Sequence, residues 1–315
     1  MNAETTPRNV ESTLRPLRGI IPPMATPLAS EDSLDVPGLE RLIEYILEGG
    51  AHALFILGTT GEGPALGYRL RRELIERVCG QVRKRVPVLV GITDTAYVES
   101  LQMAEVAARA GASAIVAAPP FYFQISQADL LRLIEGWATN SPLPTYLYNQ
   151  PELTKMSFSP RTVALASEMP NVWGLKDSSG DMGYLQEVLG LVKNKPEFSV
   201  LVGPEHLLAE GLLCGAHGGV PGGANIFPHL PVRLYQAFLD GRHQEMQRIQ
   251  AQMIEIGLPI WSASETGPGY LRRLKCALSV LGLCSALPSW PYRESVPKER
   301  ESIREHLQQH GLLRV

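Results

Sequence analysis

Between residues 19 and 220 the chain alternates short apolar runs of strand length with amphipathic stretches of helical length. Each run is followed by enough chain to return to the same end of a sheet, so the pattern calls for parallel strands joined by crossover helices and not for hairpins. The strand runs are 19–25, 53–57, 87–92, 113–118, 145–148, 172–176, 199–202 and 216–220. Eight such units, 17 to 34 residues apart from start to start, predict a (β/α)8 TIM barrel over an open doubly wound sheet, which has fewer strands.

Helix signals agree with this reading. Leu39, Leu42, Ile43, Ile46 and Leu47 recur at helical spacing, with Asp35 placed to cap the start and Gly49 past the end. Ser126 with Asp129 forms a capping-box pattern, and Ser159-Pro160 a cap followed by proline at the first helical position. Three regions are expected: an N-terminal polar tail over 1–17, the barrel over 18–227, and a C-terminal helical region over 228–315 packed on it.

Composition narrows function by exclusion. The 29 Lys and Arg against 32 Asp and Glu give a net charge of -3, so there is no basic field to hold nucleic acid or a membrane surface. No run approaches about 18 apolar residues, and the first residues carry charge and proline where a secretory signal needs an apolar centre, so a cytoplasmic enzyme is expected. Cys79, Cys214, Cys276 and Cys284 lack CxxC spacing and read as reduced thiols. The histidines, His52, His206, His217, His229, His243, His306 and His310, are read as giving no clustered ligand set. No metal and no cofactor is expected.

In such a barrel the chemistry lies at the C-terminal ends of the strands, where the βα loops converge. Lys176 closes the sixth run in VWGLKDSSGD and is the lysine among the strand runs. Held among apolar neighbours, its amine would lose charge and could attack a carbonyl; the competing reading is a lysine reaching out to solvent. Tyr148 ends the neighbouring fifth run and could move protons, or could simply pack. The turn Gly58-Thr59-Thr60-Gly61-Glu62-Gly63 can present amides and hydroxyls to a small carboxylate, although a glycine turn can also be empty. Tyr122 lies in a stiff aromatic loop after the fourth run. Gly218, Gly219, Gly222 and Gly223 mark a close backbone approach, either to a ligand or to another loop.

These segments together resemble the dihydrodipicolinate synthase and N-acetylneuraminate lyase superfamily, the class I pyruvate-dependent aldolases. The resemblance runs in order through GIIPPMATPL, GTTGEG, PFYF, YNQP, GLKDSSGD and ANIFP, and spans about residues 18 to 311. It implies that Lys176 forms a Schiff base with pyruvate, that Tyr148 moves protons, and that Thr59, Thr60 and Gly61 hold the carboxylate, with Gly222 and Gly223 at the substrate. It also implies that Tyr122 reaches a neighbouring subunit of a homotetramer, a dimer of dimers, with Thr60 linking the two phenols.

One departure bears on the substrate. The synthase branch has an arginine five residues after the tyrosine, where it meets the carboxylate of aspartate semialdehyde; Leu153 stands there. A leucine cannot form that bidentate pair. KDSSGD also resembles the branches acting on 2-keto-3-deoxy sugar acids or 4-hydroxy-2-oxoglutarate. The expected activity is therefore a Schiff-base lyase or aldolase cleaving or forming such an acid with pyruvate. The alternatives are 4-hydroxy-tetrahydrodipicolinate synthase, a 2-keto-3-deoxy acid dehydratase, or a non-catalytic binding protein on the same scaffold.

Overall fold

The computed structural model describes residues 15–261 and 269–313 of the 315. Eight parallel strands make one curled sheet. They are β1 (Gly19–Ile20), β4 (Leu54–Ile56), β5 (Val88–Gly91), β6 (Ala114–Ala117), β7 (Thr145–Asn149), β8 (Val172–Asp177), β9 (Ser199–Val202) and β10 (Gly218–Gly219). The pairing order runs β1-β10-β9-β8-β7-β6-β5-β4. Beyond the two ends of that order, backbone bonds run from His52 N to Ile20 O (2.9 Å), Phe55 N to Pro22 O (3.0 Å) and Met24 N to Phe55 O (2.8 Å).

The sheet has two apolar faces because side chains alternate along each strand. One set, including Ile21, Ala53, Phe55, Leu89, Val116, Tyr146 and Leu201, packs inside the curl. The other, including Leu54, Ile56, Val90, Ile115, Leu147, Leu175 and Val200, packs under the helices. Gly174 makes room on the inside: a Cβ there would lie 2.6 Å from the Tyr146 ring. That places Tyr146 beside Gly174 and, one inward position further along, Tyr148 beside Lys176.

The crossover helices are α1 (Val36–Glu48), α2 (Tyr68–Val82), α3 (Tyr97–Ala110), α4 (Gln127–Asn140), α5 (Pro151–Thr154), α6 (Pro160–Ala166), α7 (Met182–Leu191) and α8 (Leu208–Leu213). Three start as their sequences dictate. Asp35 accepts from Gly38 N at 3.0 Å, Ser126 from Asp129 N at 3.1 Å and Ser159 from Thr162 N at 3.1 Å. After β10 the chain continues as α9 (His229–Leu239), α10 (His243–Trp261), α11 (Tyr270–Val280) and α12 (Pro297–Gln309).

Several features differ from the reading of the sequence. Leu28–Ser30 (β2) and Ser33–Leu34 (β3) form a small antiparallel hairpin ahead of α1. Leu17, assigned to the tail, is buried in the inner layer, and its amide donates to Ser199 Oγ at 2.7 Å. Residues 1–14 of the expected tail lie outside the described residues. No helix among the described residues is long and apolar enough to cross a membrane.

Candidate active site

Strand pairing sets the centre of the site. Tyr148 on β7 and Lys176 on β8 are register partners at the C-terminal ends of adjacent strands, and both point into the curl. Each is only 6% exposed. The Lys176 Nζ sits 4.0 Å from the Tyr148 ring centroid and 5.1 Å from that of Phe55. Phe55 meets Tyr148 edge-on, 6.2 Å between centroids. The amine is therefore walled by aromatic rings rather than snorkelling to bulk water.

Tyr148 is tuned by opposing influences. Burial raises its pKa, but the charge of Lys176 and hydrogen bonds with Thr59, Lys176 and Ser178 outweigh burial, so the phenol lies below its ordinary value. Its hydroxyl lies 3.1 Å from Thr59 Oγ1. Thr60 lines the same cavity as Lys176 and Tyr270. The threonine that touches Tyr148 is thus Thr59, which corrects the expectation that Thr60 makes that link.

The turn holding both threonines is sharp. Leu57 and Glu62 take left-handed backbone, with φ of 58° and 56°. Gly63 must pass so close that a Cβ would lie 2.1 Å from the Leu57 carbonyl oxygen. Gly61 contributes structure as well, its carbonyl accepting from Thr26 Oγ1 at 2.7 Å. Glu62 turns away from the site and pairs with Lys275 of α11 at 2.5 Å, both groups fully buried. The Ser289 amide donates to its other oxygen at 2.6 Å. The C-terminal helices are in this way tied to the turn.

Two cavities meet at Thr59, Tyr148 and Gln150. The larger, about 620 Å³, holds Lys176 and is lined among others by Thr60, Ser178, Ser179, Glu205, His206, Trp261 and Tyr270. Among the described residues Lys176 is the one lysine or arginine on its wall; Glu152 and Glu205 are the acids. The smaller, about 250 Å³, is mostly apolar and includes Leu57, Pro64, Phe121, Leu153 and Leu271. Leu153, 39% exposed, therefore faces an apolar space.

The glycines after β10 approach protein groups. The Gly223 amide donates to Glu205 Oε2 at 2.5 Å, and Gly222 lies against the Trp261 ring. Trp261 Nε1 donates to the other Glu205 oxygen at 2.7 Å. Burial pushes the Glu205 carboxyl up to about 7 against the pull of these two bonds. Gly222 lines the larger cavity, whereas Gly223 is buried behind it.

Tyr122 stands apart from this centre in the single chain. It is 78% exposed, with its ring edge-on to Phe123 at 5.0 Å. Glu205, Trp261 and Tyr270 are the site residues that sequence reasoning missed. The available signals were a carboxylate just past the end of β9, where βα loops gather, and an aromatic pair flanking the start of α11. One histidine spacing was overlooked too: His306 on α12 and His310 just past its end lie four residues apart, rings 4.6 Å between centroids. Among the described residues no group of three His, Cys, Asp or Glu side chains is arranged to hold a metal ion.

The sequence pattern of the dihydrodipicolinate synthetase family matches residues 16–310. The dihydrodipicolinate synthase structure from Bacteroides thetaiotaomicron is 48% identical, with a TM-score of 0.90 over 93% of this chain and 99% of that one. YagE from Escherichia coli K12, a prophage protein of the dihydrodipicolinic acid synthase family solved with pyruvate, is 30% identical. Its TM-score is 0.89, over 94% of this chain and 99% of that one. YjhH of Escherichia coli K12, named a probable 2-dehydro-3-deoxy-D-pentonate aldolase, is 30% identical over 96% of this chain and all of that one.

Proposed function

Since this chain belongs to the dihydrodipicolinate synthetase family of pyruvate-dependent class I lyases and aldolases, we propose that it cleaves or forms a 2-oxo-3-deoxy acid whose aldehyde half is neutral and hydroxylated. The observation that carries this reading is the buried Lys176 amine against Tyr148 in a cavity with no second lysine or arginine among its described wall residues. An aldehyde bearing its own carboxylate, as in the synthase reaction, would need a cation, and Leu153 offers none. Hydroxyls would instead meet Ser178, Ser179 and His206. Relatives carry both synthase and aldolase names, so the decision rests on this wall chemistry.

The chain's own groups suffice for every proton. Tyr148 takes a proton from the Lys176 ammonium, and the free amine adds to the C2 ketone of an acid whose carboxylate rests on Thr59, Thr60 and Gly61. A nitrogen proton of the adduct passes to the former ketone oxygen to make a hydroxyl, Tyr148 returns its proton to that hydroxyl, water leaves, and a protonated iminium remains. The phenolate then accepts the C4 hydroxyl proton while the C3–C4 bond breaks, its electron pair passing into the iminium to give an enamine and an aldehyde. Tyr148 protonates C3 of the enamine, and water hydrolyses the resulting iminium to pyruvate and free Lys176.

We also read the curled sheet as a closed (β/α)8 barrel, on the strength of the bonds joining 20–24 to 52–55. The protein is read as cytoplasmic and as a homotetramer in which the exposed Tyr122 reaches a neighbouring copy.

Borohydride reduction with pyruvate tests the core of the proposal. A stable pyruvyl adduct is expected on Lys176 and none in Lys176→Ala, while Tyr148→Phe should still trap pyruvate yet turn over about 10² to 10⁴ times more slowly. An adduct that survives Lys176→Ala would overturn the mechanism. Pyruvate release should follow from neutral 2-oxo-3-deoxy sugar acids, and faster condensation with aspartate semialdehyde would overturn the substrate assignment.

A further inference from the structure

Asn149 and Asp177 directly follow Tyr148 and Lys176 in the chain and are register partners in the last rung of the same strand pair. Alternation turns them to the outer face with Leu147 and Leu175, while the reacting pair faces into the curl. Both are buried. Backbone pairing runs out here: Ser178 N donates to the Asn149 carbonyl at 2.8 Å, and Pro151, two residues on, has no N–H with which to extend the ladder.

The side chains add a rung of their own. Asn149 Nδ2 donates to Asp177 Oδ1 at 2.9 Å. Asn149 Oδ1 accepts from the Phe158 amide at 3.1 Å, ahead of α6. Asp177 accepts from the Ser179 amide at 3.1 Å and from Ser179 Oγ at 2.9 Å, which ties down the loop ahead of α7. No step of the reaction above uses either residue.

We propose that Asn149 and Asp177 are positioning residues that, by bonding across the outer face of the sheet, fix the approach of Tyr148 to Lys176 on its inner face. This inference rests on the reading that those two groups react together.

A strand residue and its neighbour share one backbone, so a shift of the last rung carries both faces with it. Proton transfer tolerates little of this, since a misplacement of about 1 Å can cost about 10²-fold in rate. An amide facing a carboxylate suits the task because the one supplies a donor and the other only acceptors, in a setting where water does not compete. Sliding either strand by one residue would leave both polar groups buried without each other, so the pair specifies register as well as spacing.

The test uses the full-length protein and pyruvate in D2O, with no aldehyde. In the iminium the Tyr148 phenolate takes a C3 proton, and the C–H electron pair moves into the iminium to give the enamine. The phenol exchanges that proton with solvent and returns a deuteron to C3. Deuterium entry into the methyl group, followed by NMR, therefore reads Lys176 and Tyr148 together, whereas the end point of borohydride trapping reads Lys176 alone. Asn149→Leu keeps the volume without the bond, and Asn149→Ser is too short to make it. Both should slow exchange about 10- to 100-fold yet still trap one pyruvate per chain at saturation. Asn149→Asp combined with Asp177→Asn reverses donor and acceptor across the two strands and should bring exchange back to within about fivefold of the native rate, because the two positions act as a unit. A reversed pair no faster than the truncations would overturn the proposal. So would truncations that melt earlier but exchange at the native rate while folded, since the pair would then serve the fold alone. If the unsubstituted protein traps no pyruvate, the aldolase reading fails and this inference with it. Native trapping and exchange with unaltered Asn149 variants overturns this inference alone.

Discussion

Glu205 shows what the cavity demands of a single side chain. Its carboxyl accepts from Gly223 and Trp261, yet burial dominates and carries it up to about 7 from an ordinary 4.5. The folded protein therefore keeps a proton that the unfolded chain gives up. Stability from this group is fully present below about pH 4.5 and is lost as pH rises to about 7, a change of about 3 kcal/mol. Urea unfolding of the native protein and Glu205→Gln across that window should show the native protein losing stability relative to the variant as pH rises. A difference that stays flat would show that Glu205 is ionised throughout. Position in the chain made Lys176 and Tyr148 legible, since both end strands and strand alternation fixes the face they occupy. Thr59 and Thr60 were not separable in that way, because a turn with left-handed residues at Leu57 and Glu62 has no period to read.

At the level of elements, the strands were legible wherever an apolar run met a helical stretch. The β2–β3 hairpin escaped because its strands hold only Leu28–Ser30 and Ser33–Leu34, too few residues for alternation to register. Contacts between distant segments left no sequence signal at all, and the Glu62–Lys275 pair is the clearest case. It joins the strand-end turn to α11 with both groups out of water, and Lys275 Nζ also donates to the Leu287 carbonyl at 2.8 Å. Burial lowers the Lys275 pKa, and the Glu62 carboxylate opposes that shift. Removing one charge strands the other, so Lys275→Met should cost about 3 to 5 kcal/mol in chemical unfolding. Glu62→Gln with Lys275→Met should recover most of that loss, because no unpaired buried charge remains. Equal losses in the single and double variants would mean that packing, not charge, carries the effect.

For the whole molecule, the aromatic loop after β6 is the feature that a single chain leaves unaccounted for. Tyr122 and Phe123 are 78% and 74% exposed, and Phe121 beside them lines the small apolar cavity next to Tyr148. Three neighbouring rings facing water are costly to leave uncovered and mark a surface that associates. Their place at the cavity rim means that a second copy seated there would also close the apolar space near the reacting groups. Sedimentation should therefore give a mass of several 34.5 kDa chains. Phe123→Glu would place a charge in the contact and should shift the distribution toward smaller species, with turnover per chain falling alongside it. Should the native protein sediment as a single chain at micromolar concentration with full activity, the tetramer would be wrong, and the exposed rings of Phe121, Tyr122 and Phe123 would have no part in turnover.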